Sequence, residues 1–129
     1  MSSQNSRQGA LQKTSEDPYK VMLVDDSAVI RGLFTRTLES DPNIEIVATA
    51  SNGEQAISVM KRHAVEVVVL DIEMPIMDGL TALPRLLAID RHLKVIMAST
   101  LTQKNAKVSF QALAAGAADY IPKPSATRD

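Results

Sequence analysis

The segment Val67-Val68-Val69-Leu70-Asp71-Ile72-Glu73-Met74-Pro75 changes character within one residue. Four apolar residues, three of them β-branched, describe a strand with no polar face, so both of its faces should be covered. Asp71 stands where that strand would emerge into a loop. Pro75 and Asp78-Gly79 supply turn chemistry just beyond it. In an open α/β sheet, ligands bind outside the carboxyl ends of the strands, and a carboxylate there is placed for chemistry.

Upstream, Val21 to Val24 is a second buried strand that also ends in acid, at Asp25-Asp26, with Ser27 as a helix N-cap. Ile30, Leu33, Phe34, Thr37 and Leu38 then follow the spacing of an amphipathic helix, which stops at Asp41-Pro42-Asn43. Residues 44–50 form a third strand, Ser51-Asn52-Gly53 a turn, and Glu54 to Arg62 a second helix. Downstream of the central segment, Leu80 to Ile89 is helical in pattern, although an interior Pro84 would cost about 3 kcal/mol. A start near Ala82, or a bend there, would relieve that cost. Residues 93–98 form a strand ending at Ser99-Thr100. Lys104 to Ala115 is a helix stopped by Gly116, and residues 119–122 are a last strand before Lys123-Pro124.

Strands at 20–24, 44–50, 65–70, 93–98 and 119–122 thus alternate with helices, which implies βαβ units. Right-handed crossovers place helices on both faces, giving an α/β, doubly wound, five-stranded parallel sheet. The 129 residues suit one domain, expected as a flexible tail over 1–18 and an ordered unit over 19–129. An apolar fraction of 45% and a charged fraction of 22% argue against a wholly disordered chain. The net charge of −1 gives no field favouring nucleic acid or membrane, and the lack of cysteine excludes disulfides and thiol catalysis. With no apolar run of membrane-spanning length and no apolar signal core, a cytoplasmic location is expected.

The strand ends collect Asp25, Asp26, Asp71, Ser99-Thr100 and Lys123 on one edge of the sheet. Singly, each has a plain explanation: a cap, a turn, a solvated lysine. Their coincidence at successive strand ends is not explained by capping. Crowded carboxylates repel, a divalent cation relieves the repulsion, and hard oxygen ligands select Mg2+. A metal beside a carboxylate, with ammonium and hydroxyl donors opposite, suits an incoming phosphoryl group. His63 and His92 flank helix ends without a second ligand at metal spacing.

Val24-Asp25-Asp26-Ser27, Leu70-Asp71-Ile72-Glu73-Met74-Pro75, Asp78-Gly79, Ser99, Ala115-Gly116-Ala117 and Lys123-Pro124 resemble the response-regulator receiver domains of two-component signalling. The resemblance runs from Lys20 to Ser125. It implies a flavodoxin-like sheet of strand order 2-1-3-4-5 and a phosphorylation switch with Asp71 as phosphoacceptor. Asp25, Asp26 and Asp71 would hold Mg2+ with the backbone carbonyl of Glu73, Asp25 acting through water. Lys123 would pair with the phosphoryl group and Ser99 would hydrogen-bond it, while Tyr120 would turn inward as Ser99 moves. Pro75, Gly79, Gly116 and Pro124 would be structural, and the Lys123-Pro124 bond would be cis.

Within that family, the acceptor segment, Ser99-Thr100-Leu101-Thr102 and Asp119 to Ser125 are similar to the receivers of chemotaxis methylesterases. The partners implied are a sensor histidine kinase and a downstream effector, the latter a methylesterase domain absent from this chain. A stand-alone receiver acting by protein binding is one alternative. An aspartate-nucleophile phosphohydrolase is another, disfavoured because Glu73 stands where a second Asp belongs. A flavin- or nucleotide-binding domain would want a Gly-rich loop where Asp25-Asp26 would repel phosphate. The five residues Ser125 to Asp129 are too short to supply the fifth helix a receiver normally carries. Self-association through an uncovered face near Tyr120 and the first helix is therefore expected.

Overall fold

The structure, a computed structural model, describes residues 17–124. In chain order these form β1 (Tyr19–Val24), α1 (Ala28–Glu39), β2 (Ile44–Ala50), α2 (Gly53–Met60), β3 (Val67–Asp71), α3 (Gly79–Ile89), β4 (Lys94–Ser99), α4 (Gln103–Ala114) and β5 (Asp119–Pro122). The strands make one sheet of order β2-β1-β3-β4-β5, and every neighbouring pair is parallel. The chain leaves β1 towards β2 and returns to pair β3 on the other side. A crevice therefore opens at the carboxyl ends of β1 and β3.

Register sets what meets in that crevice. Val24 lies opposite Leu70, so Asp25 and Asp71 emerge side by side. Asp71 lies opposite Ala98 and Ser99 opposite Pro122, which brings Ser99 and then Lys123 into the same row.

The valine run of β3 alternates as a strand with two covered faces must. Val68 and Leu70 are fully buried among Ala56, Val59, Leu83, Leu86 and Ala112, from α2, α3 and α4. Val67 and Val69 turn the other way, with Val21, Leu23 and Ala98, onto Phe34 of α1. Full burial of a side chain such as Leu83 contributes about 1.5–3 kcal/mol.

Several expectations need correction. Helix α3 starts at Gly79, not near Ala82, because Asp78 caps it: its carboxylate accepts from the Thr81 N–H at 2.8 Å. Pro84 is the sixth residue of this helix and is exposed, and its missing N–H leaves the Leu80 carbonyl without its helical donor. No peptide bond among the described residues is cis, so Lys123-Pro124 is trans, the form favoured by about 0.5–1 kcal/mol. Tyr120 does not lie on the face of α1. It meets Phe110 of α4 edge to face at 6.1 Å, and strand alternation gives the α1 side to Ile121. Of the expected tail over 1–18, residues 1–16 lie outside the described residues, as do the final residues 125–129; the described residues contain four helices.

Helix α4 ends as its sequence indicates. Gly116 adopts φ 115°, a conformation costly for residues with a Cβ. This lets the Ala117 N–H reach the Ala112 carbonyl at 2.9 Å while the Gly116 N–H reaches Leu113 at 3.1 Å.

Candidate functional site

Asp25 and Asp71 are each 2% exposed, whereas Asp26 is exposed. The Asp25 carboxylate accepts from the Ser27 N–H at 2.8 Å, and its backbone carbonyl accepts from the Arg31 guanidinium at 2.5 Å. These bonds fix the start of α1 against the site. Lys123 arrives from the opposite side of the crevice. Its N–H donates to the Ser99 carbonyl at 2.9 Å, extending the β4–β5 pairing by one residue. Its ammonium then lies 3.2 Å from Asp25 Oδ2 and 3.2 Å from Asp71 Oδ1.

One ammonium faces two buried carboxylates, and the balance shows in Asp71. Burial, then the neighbouring Asp25, push its pKa up to about 6 against the pull of Lys123. For Lys123, burial acts downward, but Asp71 and Asp25 outweigh it and hold its pKa above the usual value. Asp71 is therefore largely ionised at neutral pH and available as a nucleophile.

Asp25, Asp26 and Asp71 each offer an oxygen within 4.8 Å of the others. Asp71 Oδ2 is buried and receives no hydrogen bond, and Asp25 Oδ2 has only its ion pair with Lys123. Hard oxygens that are crowded, buried and short of donors fit a small divalent cation such as Mg2+.

The loop after β3 is held tightly. Gly79 packs so close to Asp71 that a Cβ there would collide with the Asp71 carbonyl oxygen. Ile76 adopts φ 71°, and the Met77 N–H donates to the Pro75 carbonyl at 2.7 Å across it. This is a γ-turn of the strained, left-handed kind, with a β-branched residue at its centre. The Met77 carbonyl accepts in turn from the Gly53 N–H at 2.9 Å, tying the loop to α2.

A cleft of about 490 Å³ opens over Asp71, lined among others by Asp26, Glu73, Ser99, Asn105 and Lys123. The expected site residues thus converge, with one exception. Glu73, expected to act through its backbone carbonyl, lines the cleft while its exposed side chain turns to Lys104 at 3.3 Å, a pair worth little in water. Tyr120 is 39% exposed, leans on Phe110 and does not line the cleft. The sequence reading missed Asn105, a buried polar residue at the cleft, and Ile76. The signal for Ile76 was its place directly after Pro75 in a tight turn, where positive φ is often required.

Residues 21–129 match the family described as response regulator receiver domain. A protein-glutamate methylesterase/protein-glutamine glutaminase of group 2 operon from Rhodospirillum centenum is 63% identical over 113 residues. That alignment covers 88% of this chain but 29% of the relative, so the chain spans under a third of that relative's length. The response regulator domain of Thermotoga maritima CheB superposes with a TM-score of 0.75 at 34% identity, covering 87% of this chain and 83% of that one. A CheX-CheY-BeF3-Mg2+ complex from Borrelia burgdorferi gives a TM-score of 0.76 at 35% identity, with coverages of 84% and 81%. With its order-2-1-3-4-5 sheet and its aspartate cluster at the β1–β3 crevice, this chain belongs to the response regulator receiver family and is homologous to the receiver domains of CheB-type methylesterase proteins.

Proposed function

We propose that Asp71 is the phosphoacceptor of this receiver. The observation that carries this reading is the state of its carboxylate: Oδ1 is held by Lys123 at 3.2 Å, while Oδ2 is buried without a hydrogen bond beside the cleft. In the step, an Asp71 carboxylate oxygen attacks phosphorus and an oxygen–phosphorus bond forms. The bond from phosphorus to the donor breaks, and the electron pair leaves with the donor, as acetate if the donor is acetyl phosphate. The Lys123 ammonium then faces the phosphoryl oxygens, and the Ser99 hydroxyl donates to one of them. Tyr120 moves inward from Phe110 as Ser99 shifts.

Asp25, Asp26 and Asp71, with the Glu73 backbone carbonyl, would hold Mg2+, and the donor-poor oxygens of the cluster support that assignment. When bound, the ion supplies positive charge for the phosphoryl oxygens. The phosphodonor is a sensor histidine kinase in the cytoplasm, and the output is control of a methylesterase effector. The Rhodospirillum relative supports that last point through its name and its greater length. No helix among the described residues is long and apolar enough to cross a membrane.

Acetyl phosphate with Mg2+, followed by intact mass and a free-phosphate assay, tests the reading. One phosphoryl group per chain, with amide shifts at Ser99 and Tyr120, is expected. Continuous release of phosphate without an adduct would favour the phosphohydrolase.

A further inference from the structure

Asn105 is 5% exposed, lines the cleft over Asp71, and lies on the third residue of α4. An asparagine in a first helical turn ordinarily serves the helix end. Here Thr102 already does so, its hydroxyl accepting from the Asn105 N–H at 3.0 Å. The Asn105 side chain reaches away from its own helix instead. Its Nδ2 donates to the Thr100 carbonyl at 3.2 Å and to the Thr100 hydroxyl at 2.8 Å. The carbonyl can only accept, so it fixes which end of the amide faces Thr100. The other end, Oδ1, is buried and has no partner.

Thr100, Leu101 and Thr102 are exposed and lie between β4 and α4, so this clamp ties the segment after Ser99 to the helix. The Asn105 side-chain hydrogen bonds thus serve the segment after Ser99 and not the helix end. We propose that Asn105 is a positioning residue for phosphoryl transfer, acting through Thr100 to hold Ser99 beside Asp71. The proposal rests on Asp71 being the phosphoacceptor. The Asn105 side chain donates to Thr100 and not to any of the three carboxylates, so its role is separable from metal binding. Small displacements of positioning groups are known to cost up to about a hundredfold in rate.

The test uses the full chain, with acetyl phosphate as donor, and Asn105→Ala, Thr100→Val and the double variant. Phosphorylation rate is followed by intact mass against donor concentration, and Mg2+ affinity and thermal midpoint are measured alongside. Asn105→Ala should lower the maximal rate by about tenfold while half-saturation for donor and Mg2+ stays within about twofold. Thr100→Val should lose part of that rate, and the double variant should be no slower than Asn105→Ala, because both act through one contact. An unchanged maximal rate in Asn105→Ala, or losses that multiply in the double variant, would overturn the proposal. Should Asn105→Ala not fold, Thr100→Val decides alone: a loss of about threefold sustains the proposal and an unchanged rate overturns it. A wild-type chain that gains no phosphoryl mass overturns both this role and that of Asp71.

Discussion

Lys123 and Asp71 stand 52 residues apart in sequence and meet with Nζ 3.2 Å from Oδ1. The same ammonium serves Asp25 at 3.2 Å, so one cation compensates two buried carboxylates. Breaking a buried pair by removing one partner leaves an uncompensated charge and typically costs about 3–5 kcal/mol. Lys123→Ala should therefore destabilise the metal-free chain at pH 8 by about 2–4 kcal/mol and push the Asp71 pKa above its present value. Urea unfolding checks the first effect and carboxyl NMR titration the second. An unchanged midpoint would mean that the ammonium is not the counter-charge.

Asp71 itself should make stability depend on pH in an unusual direction. Its folded pKa is raised from 3.8 to about 6, chiefly by burial. The folded state therefore prefers the protonated acid, and ionisation works against folding. The cost is absent below about pH 4, grows between about pH 4 and 6, and is complete above that, at about 3 kcal/mol. Asn cannot ionise. Asp71→Asn should thus be more stable than the parent at pH 8 without metal, with the gap closing towards pH 4. Paired denaturation curves across that range would show a constant gap if the raised pKa were wrong.

Mg2+ should reverse much of this strain. A ligand bound only by the folded state adds about 2.7 kcal/mol at one hundred times its dissociation constant. Asp26→Ala should erase the gain, since Asp26 is the exposed member of the cluster and its loss leaves the Asp25–Lys123–Asp71 contacts in place. A thermal midpoint that stays flat through a Mg2+ titration would sink the assignment of this cluster as a cation site.

How much of this was legible in the sequence depends on whether a feature is local. The valine run before Asp71, the Asp25-Asp26 pair and Gly116 announced themselves, because burial on both strand faces and a helix stop follow from the residues alone. Helix α3 matched its expected span of Leu80 to Ile89 to within one residue, and only the later start near Ala82 failed, because Pro84 drew attention and the Asp78 cap did not. Tyr120 was assigned to the α1 face because the phase of a four-residue strand is weakly marked. Asn105 was passed over although it stands in line with Val108, Ser109, Ala112 and Leu113 at helical spacing. Polar residues inside an apolar stripe are a readable signal, yet what Asn105 bonds to is decided by the loop folded against it.

Ile76 offers a test of stored strain. It has φ 71° and is 75% exposed, so its β-branched side chain costs conformational energy without gaining burial. A left-handed conformation costs a residue with a Cβ about 1–2 kcal/mol. Ile76→Gly should raise stability by about 1 kcal/mol, part of the relief being offset by the freedom glycine gains when unfolded. A lower thermal midpoint in that variant would mean that the side chain contributes contacts this geometry does not reveal.

The central claim is that Asp71 takes the phosphoryl group, and intact mass of the Asp71→Asn variant after acetyl phosphate and Mg2+ tests it most directly. Asn keeps the size and removes both nucleophile and charge, so the fold should persist, as a circular-dichroism spectrum can verify. The account predicts one phosphoryl mass on the parent chain and none on the variant. A phosphoryl mass on Asp71→Asn, at a rate like that of the parent, would place the acceptor elsewhere and contradict the account.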